Sequence, residues 1–319
     1  MPVHAFIFPG QGSQAIGMGR DLAAAFLAAR EVFQEVDETL KQKLSKLMFE
    51  GPLEELTLTE NAQPALMAHS LATLRVMERE GGFLLADKAA VVAGHSLGEY
   101  SALAAAGSFS ITDAARLLRL RGEAMQKAVP PGEGAMAALL GAELPLAKEI
   151  CAEAAEDAEG NKQTIDPAND NGGGQVVISG HRAAVERAIE IAKGKGVRRA
   201  MLLPVSAPFH CALMAPAADA MSEALEKNPP AAPAVPVIAN ASAAKATDPA
   251  EIVRLLVRQV TETVRWRESV QTMLSLGVDS FVELGSGKVL SGLVRRLAPD
   301  AAAASAGTPA EIEQLLKSL

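Results

Sequence analysis

An apolar run that ends in a short glycine–serine turn constrains the fold of this 319-residue chain more than any other feature. Residues 89–93 (AAVVA) predict a buried strand, Gly94-His95-Ser96-Leu97-Gly98 follows, and SALAAAG predicts a helix. A turn this sharp needs glycine on both sides and leaves its serine exposed. The backbone N–H of Leu97, at the start of the helix, then points to the position where an oxyanion would form next to this serine. The pattern predicts an α/β fold with a mainly parallel sheet and a nucleophilic Ser96; a glycine-rich turn with a capping serine is the alternative.

Other segments carry strand and helix patterns that extend this α/β interpretation. Residues 3–8 and 278–284 read as buried strands, and the second is the last strand that we predict. Apolar side chains at spacings of three and four predict one amphipathic helix over residues 21–40. A further helix, over residues 64–79, is predicted to open at Pro64.

The middle of the chain predicts a separate small domain. Strand and helix patterns between residues 132 and 203 follow the order β-α-β-α-β. This block interrupts the larger pattern. We therefore predict a large domain formed by residues 1–131 and 204–319, into which residues 132–203 are inserted.

The composition excludes several classes of protein. Hydrophobic residues make up 49% of the chain and charged residues 21%, which is typical of a globular protein. The net charge of −8 argues against a general nucleic-acid binder, because phosphate contacts need an excess of basic groups. Two cysteines are too few for a disulfide framework or a metal cluster. Because the N-terminus lacks a signal-peptide pattern and the longest uncharged stretch, residues 200–218, is interrupted by prolines, we predict a cytoplasmic protein without membrane contact.

A nucleophilic serine needs a base, and the five histidines of the chain are the candidates. His210 lies far downstream of Ser96, in the loop LPVSAPFHCALM, where α/β-hydrolase-like chains carry their base. The other histidines fall in predicted regular structure, beside the nucleophile, or at the start of a surface helix. His210 is therefore the candidate base by elimination and position, and a purely structural role is the alternative.

Several motifs occur in an order that points to one family. They are FPGQGSQ at residues 8–14, GHSLGEY at 94–100, LRLRG at 118–122, PFHCALM at 208–214 and LVRQV at 256–260. Together they resemble the malonyl-CoA:acyl carrier protein transacylases, the acyltransferases of fatty-acid synthesis. The resemblance covers nearly the whole chain. It implies an α/β-hydrolase-like large domain with an inserted ferredoxin-like small domain, and malonyl transfer through a malonyl-serine intermediate.

The resemblance also implies roles for individual residues. Ser96 would accept the acyl group, and His210 would be its base. The backbone carbonyl of Gln259 would orient His210 in place of the usual acidic side chain. The backbone N–H groups of Gln11 and Leu97 would form the oxyanion hole.

Arg121 would bind the free carboxylate of the malonyl group, because a guanidinium fits a carboxylate with two parallel hydrogen bonds. The alternative is a surface charge on the predicted helix. The resemblance further implies that Gln63, Asn169, Asn171 and Phe209 line the pocket. For Gln63 a polar contact near a helix start is the alternative, and the glycine run after Asn171 departs from the family pattern.

The resemblance implies malonyl-CoA as substrate, acyl carrier protein as partner, and neither a metal nor a permanently bound cofactor. We expect a monomer. Because acyl carrier proteins are acidic, we also expect a local basic surface near the pocket mouth. Its candidate residues are Lys193, Lys195, Arg198, Arg199, Arg295 and Arg296.

The sequence alone leaves other functions open. A serine hydrolase or thioesterase could use the same serine turn, and it would turn over rapidly in water without a carrier. A catalytically inactive carrier-binding module is a second alternative, against which Ser96, His210, Arg121 and Gln11 argue. An excised polyketide acyltransferase domain is a third, although the chain begins and ends near the motif boundaries, which favours a discrete protein.

Overall fold

The computed structural model describes residues 2–319, in which strands alternate with helices. In chain order the strands are β1 (His4–Phe8), β2 (Ala89–Gly94), β3 (Gly134–Leu140), β4 (Ile165–Gly172), β5 (Gln175–His181), β6 (Arg199–Leu202), β7 (Val237–Ile238), β8 (Lys245–Ala246), β9 (Ser280–Leu284) and β10 (Ala302–Ala306). The helices are α1 (Arg20–Ala25), α2 (Leu27–Leu40), α3 (Leu44–Glu50), α4 (Leu53–Thr57), α5 (Thr59–Gly81), α6 (Leu85–Lys88), α7 (Gly98–Ala105), α8 (Ile111–Lys127), α9 (Leu144–Ala154), α10 (Arg182–Gly194), α11 (Ala215–Lys227), α12 (Pro249–Gln259), α13 (Trp266–Ser275), α14 (Val289–Leu297) and α15 (Pro309–Leu316). A short 3-10 helix covers Ala212–Met214.

The larger sheet brings the ends of its parallel strands to one edge. Its order is β10-β9-β1-β2-β7-β8, and every neighbouring pair is parallel except β7 and β8. Phe8 pairs with Gly94, and Ala93 pairs with Ile238. The loops that follow β1, β2 and β7 therefore leave the sheet side by side, the usual place for a site in such folds. The predicted α/β fold class is confirmed.

The smaller sheet is antiparallel and has the order β4-β5-β3-β6. With α9 and α10 it forms a β-α-β-β-α-β unit with its own apolar cluster, which is a ferredoxin-like arrangement. The predicted block lacked β4, because the sequence of that strand (IDPANDNG) contains residues that are depleted in strands. The domain boundaries at residues 132 and 203 stay a prediction.

Three predictions about single elements were wrong. The helix over residues 21–40 is divided between α1 and α2, because Phe26 adopts an extended conformation (φ −125°, ψ 130°). The helix predicted from Pro64 begins earlier, at Thr59, with Pro64 inside its second turn, where only the carbonyl of Glu60 loses a helical partner. The strand predicted last is followed by β10, whose alanine-rich sequence gave no strand signal.

No helix within residues 2–319 is long and apolar enough to span a bilayer.

Candidate active site

The turn between β2 and α7 has the sharp geometry that its sequence predicted. Ser96 sits at its tip with a φ of 54°, a left-handed conformation that residues with side chains rarely adopt. A Cβ on Gly94 would overlap the backbone of Gly98, and one on Gly98 would overlap the Phe8 carbonyl of β1. The two glycines therefore let α7 fold back tightly against both strands, and Ser96 stays partly exposed to solvent.

Ser96 and His210 form a hydrogen-bonded pair although 114 positions separate them. The distance from Ser96 Oγ to His210 Nε2 is 2.7 Å, and His210 Nδ1 lies 2.7 Å from the backbone carbonyl of Gln259. Because a carbonyl only accepts hydrogen bonds, Nδ1 carries the proton and Nε2 is free to accept from the serine hydroxyl. The pair therefore has the tautomer that a general base for Ser96 needs.

Burial keeps the His210 imidazole neutral. Its pKa is lowered to about 3, by desolvation as the largest cause and by the nearby positive charge of Arg121 as the second. The hydrogen bond to the Gln259 carbonyl acts in the opposite direction. At neutral pH the ring is therefore unprotonated and able to accept a proton.

Arg121 projects from α8 into the same place and is buried. Its Nη2 lies 3.1 Å from Ser96 Oγ and 2.9 Å from Gln259 Oε1, and its Nη1 donates to Gln63 Oε1 at 2.7 Å. The guanidinium also lies over the Tyr100 ring, 5.7 Å from its centre. No carboxylate in residues 2–319 forms an ion pair with Arg121, so this buried cation is held by neutral acceptors.

The two backbone N–H groups expected to bind an oxyanion are both free. Gln11 lies in the loop after β1, and Leu97 directly follows Ser96. Within residues 2–319 neither N–H has a hydrogen-bond partner. The side chain of Gln11 is held separately, with its Nε2 donating to Thr59 Oγ1 at 3.1 Å. Both amides can therefore donate to a bound group.

The remaining predicted pocket residues separate into two groups. Gln63 contacts Arg121 directly, and Phe209 is buried in the main core next to the base. Asn171 and Asn169 lie on β4, where Asn171 Oδ1 accepts a 2.9 Å hydrogen bond from His95 Nε2 and Asn169 Nδ2 is 3.5 Å from the same atom. These two asparagines have no hydrogen bond with Ser96, His210 or Arg121 among the described residues. Their role as pocket residues stays a prediction.

Sequence reasoning missed two buried polar residues behind the nucleophile, Glu99 and Asn240. Glu99 Oε2 accepts hydrogen bonds from the Asn240 backbone N–H at 2.9 Å and from Gln259 Nε2 at 2.7 Å. Burial raises the pKa of Glu99 to about 7, against the influence of these hydrogen bonds and of Arg121. Glu99 could have been noticed as a charge directly after the serine turn, whereas Asn240 lay in a stretch that reads as a loop and carried no signal.

Residues 2–319 contain no group of three or more His, Cys, Asp and Glu side chains that could hold a metal ion. The site is thus built from a hydroxyl, an imidazole, an unpaired guanidinium and free backbone N–H groups. This set suits nucleophilic transfer of an acyl group that carries a negative charge.

Comparison with known proteins identifies the class. The acyl transferase domain family matches residues 5–308, and the chain belongs to that family. Within it, the chain is 47% identical over 315 residues to the malonyl CoA-acyl carrier protein transacylase of Bacillus subtilis (strain 168), an alignment that covers 99% of this chain and 96% of the relative. The resemblance drawn from the motifs is thereby confirmed.

Solved structures agree with this assignment. An acyl-carrier-protein S-malonyltransferase from Bartonella henselae superposes with a TM-score of 0.95 at 57% identity, with 99% of each chain covered. A malonyl transacylase in complex with a type II polyketide acyl carrier protein superposes with a TM-score of 0.94 at 41% identity, covering 99% of this chain and 100% of that one.

Proposed function

We propose that this enzyme transfers the malonyl group from malonyl-CoA to the phosphopantetheine thiol of acyl carrier protein, through a malonyl ester of Ser96. One observation carries the proposal: the hydroxyl of Ser96 lies within hydrogen-bond distance of both a neutral imidazole and a buried guanidinium that has no carboxylate partner within residues 2–319. The first group activates a nucleophile, and the second selects an acyl group with a free carboxylate. The names of the relatives support the same substrates.

In the first half-reaction, Ser96 Oγ attacks the thioester carbonyl of malonyl-CoA while its proton moves to His210 Nε2. The carbonyl oxygen becomes negative and accepts hydrogen bonds from the backbone N–H groups of Gln11 and Leu97, and the loss of one such donor typically costs about 10²–10³ in rate. The C–S bond then breaks, and the departing CoA sulfur takes the proton from His210. The product is a malonyl ester on Ser96 and free CoA.

The second half-reaction runs through the same groups in reverse order. The carrier thiol gives its proton to His210 Nε2 and attacks the ester carbonyl. The C–O bond breaks, and Ser96 Oγ leaves with the proton from His210. The Gln259 carbonyl holds Nδ1–H throughout, so the ring keeps its orientation in both halves.

Arg121 supports selection of the malonyl group over neutral acyl groups. A buried guanidinium with no carboxylate in direct contact is costly, and a substrate carboxylate supplies that contact with matching geometry. Gln63 and Gln259 hold the guanidinium from two helices, so it is placed before the substrate arrives. A hydrolase of neutral esters has no use for such a group, which weighs against that alternative.

Both half-reactions use groups from this chain alone, which supports a monomer without a permanently bound cofactor. The proposal also places the enzyme in the cytoplasm. It also includes the inserted domain over residues 132–203. The core cluster of that unit is separate from those of the larger sheet, which supports this division.

The test is mass spectrometry of the intact protein after mixing with malonyl-CoA alone. We expect a malonyl adduct on Ser96 that is absent in Ser96→Ala and is released by holo acyl carrier protein.

Arg121→Ala should lower kcat/KM for malonyl loading by about tenfold to a hundredfold, the worth of a hydrogen-bonded charge, while acetyl-CoA loading is retained. The exposed Arg116→Ala on the same helix is the matched control and should change neither rate. No adduct on Ser96, or equal losses for both acyl groups in Arg121→Ala, would contradict the proposal.

A further inference from the structure

Asn240 is a fully buried side chain that spans the turn carrying Ser96. Its Oδ1 accepts a hydrogen bond from the Ser96 backbone N–H at 2.8 Å, and its Nδ2 donates to the Gly94 carbonyl at 2.7 Å. One carboxamide thus bonds to the backbone on both sides of the turn. Asn240 reaches this position because it follows β7, the strand next to β2 in the sheet.

The turn needs such support because its backbone is strained. Ser96 has a positive φ, and a residue with a side chain keeps that conformation only when the surrounding structure enforces it. Its N–H has Asn240 as hydrogen-bond partner within residues 2–319. Without this acceptor, a donor close to the nucleophile would be left unsatisfied, and the turn would be free to relax.

A third contact links Asn240 to the support of the base. Gln259 Nε2 lies 3.2 Å from Asn240 Oδ1, and the backbone carbonyl of Gln259 is the acceptor for His210. Gln259 Nε2 also donates to the Ser96 carbonyl at 3.0 Å, so the serine turn and the support of the base are linked through the carboxamides of Asn240 and Gln259.

Asn240 is itself fixed from two sides. Its backbone N–H donates to Glu99 Oε2 at 2.9 Å, and its carbonyl accepts from the Arg265 backbone N–H at 3.2 Å. Every polar atom of the residue therefore has a partner, which leaves its carboxamide little freedom to rotate.

We propose that Asn240 is a positioning residue for acyl transfer. It holds the backbone of Ser96 in the conformation that keeps the Ser96 hydroxyl in line with His210 and the Leu97 N–H at the oxyanion position. This inference rests on the proposed role of Ser96. Asn240 touches no substrate, and it acts through the turn.

The sharpest variant is Asn240→Asp, which keeps the size of the side chain and an acceptor for Ser96 N–H. It replaces the donor to the Gly94 carbonyl by a second acceptor, so oxygen faces oxygen on one side of the turn. We expect kcat for Ser96 loading to fall by about tenfold to a hundredfold with both malonyl-CoA and acetyl-CoA, because small displacements of a nucleophile cost that much. In Asn240→Ser, which adds no charge, KM and the malonyl-to-acetyl ratio should stay within about twofold of the wild type, because binding of the acyl group is left intact.

Asn61→Asp is the matched control. Asn61 is also buried, its Nδ2 donates to the Glu55 carbonyl at 2.9 Å, and its Oδ1 accepts from Gln42 Nε2 at 3.2 Å. The chemical change is the same, but neither partner of Asn61 belongs to the serine turn. We expect Asn61→Asp to lower the unfolding midpoint without lowering kcat per folded molecule.

Asn240→Ser gives a second measurement if the aspartate variant does not fold, since it removes both contacts without adding a charge. Labelling of Ser96 by a small fluorophosphonate should slow in parallel with kcat in either Asn240 variant. The inference is overturned if both Asn240 variants keep wild-type kcat per folded molecule, or if their losses lie in KM. Absence of the malonyl adduct in the wild-type protein would instead remove the proposed function, so the two failures are distinguishable.

Discussion

At the scale of single residues, the most consequential property is the neutral state of His210. Its surroundings disfavour the protonated ring through desolvation first and through Arg121 second. Because the ring is neutral, it can accept the proton of the attacking group, and the imidazolium that forms can pass this proton to the leaving atom in each half-reaction. The same property acts on stability. Between about pH 3 and 6.5 the unfolded chain binds a proton at His210 that the folded chain does not. The free energy of unfolding therefore decreases as the pH falls from 6.5 towards 3.

We predict that the His210 ring stays neutral, with its proton on Nδ1, from pH 8 down to pH 5. The measurement is nitrogen NMR of labelled histidine side chains, with the His210 signals assigned by their loss in His210→Gln. A His210 titration midpoint close to the ordinary value of 6.5 would show that burial does not control this base.

The sequence identified the reacting residues more readily than their supports. Ser96 and His210 lie in motifs that predict their chemistry, and the structure brings them together with Arg121 as expected. Asn240 could not have been found in this way, because its importance depends on strand β7 lying next to β2 in space. An asparagine in a proline- and alanine-rich stretch has no pattern of its own.

At the scale of elements, the site depends on how closely α7 approaches β1. Gly98, the first residue of α7, packs against the Phe8 carbonyl, and the loop after Phe8 carries Gln11. The apolar runs predicted β1, β2 and β9, whereas β4 and β10 were not predicted. Their polar and alanine-rich sequences become strands only because β5 and β9 supply hydrogen-bonding partners.

We predict that Gly98→Ala lowers the free energy of unfolding by about 1–3 kcal/mol, the usual cost of overpacking, and also slows Ser96 loading because α7 and the Gln11 loop must separate. Gly292→Ala is the control, since a Cβ on this glycine of α14 meets open space. That change should stabilise the protein by about 0.5–1 kcal/mol, as alanine does in a helix. The measurements are urea unfolding and the loading rate, and equal effects of both changes would refute the packing argument.

At the scale of the whole molecule, the net charge of −8 hides an uneven distribution. Of the basic residues expected to meet an acidic carrier, Lys193 pairs with Glu190, and Lys195 pairs with Glu149 and Glu153. Their charges are largely cancelled. Among the described residues, no carboxylate forms an ion pair with Arg198, Arg199, Arg295 or Arg296. Arg296 donates to Gln175 on β5, which pairs with Leu140 on β3, and Arg199 on β6 pairs with Leu140 from the other side.

We predict that the double variant Arg199→Ala and Arg296→Ala lowers kcat/KM for transfer to acyl carrier protein by about threefold to tenfold at low salt, with a smaller effect at high salt. The matched control changes Lys193 and Lys195 to alanine and should have little effect, because glutamates already neutralise both. Loading from a short malonyl thioester without phosphates should be unchanged in every variant. A larger loss in the lysine variant than in the arginine variant would contradict this view of the surface.

The acceptor that orients His210 belongs to the main chain at position 259, and this has a genetic consequence. Where an acidic side chain does this work, a single codon change deletes it. Here a carbonyl is encoded whichever amino acid occupies the position, so a codon change at 259 removes the side-chain contacts with Arg121, Glu99 and Ser96 but leaves the acceptor for His210 in the chain.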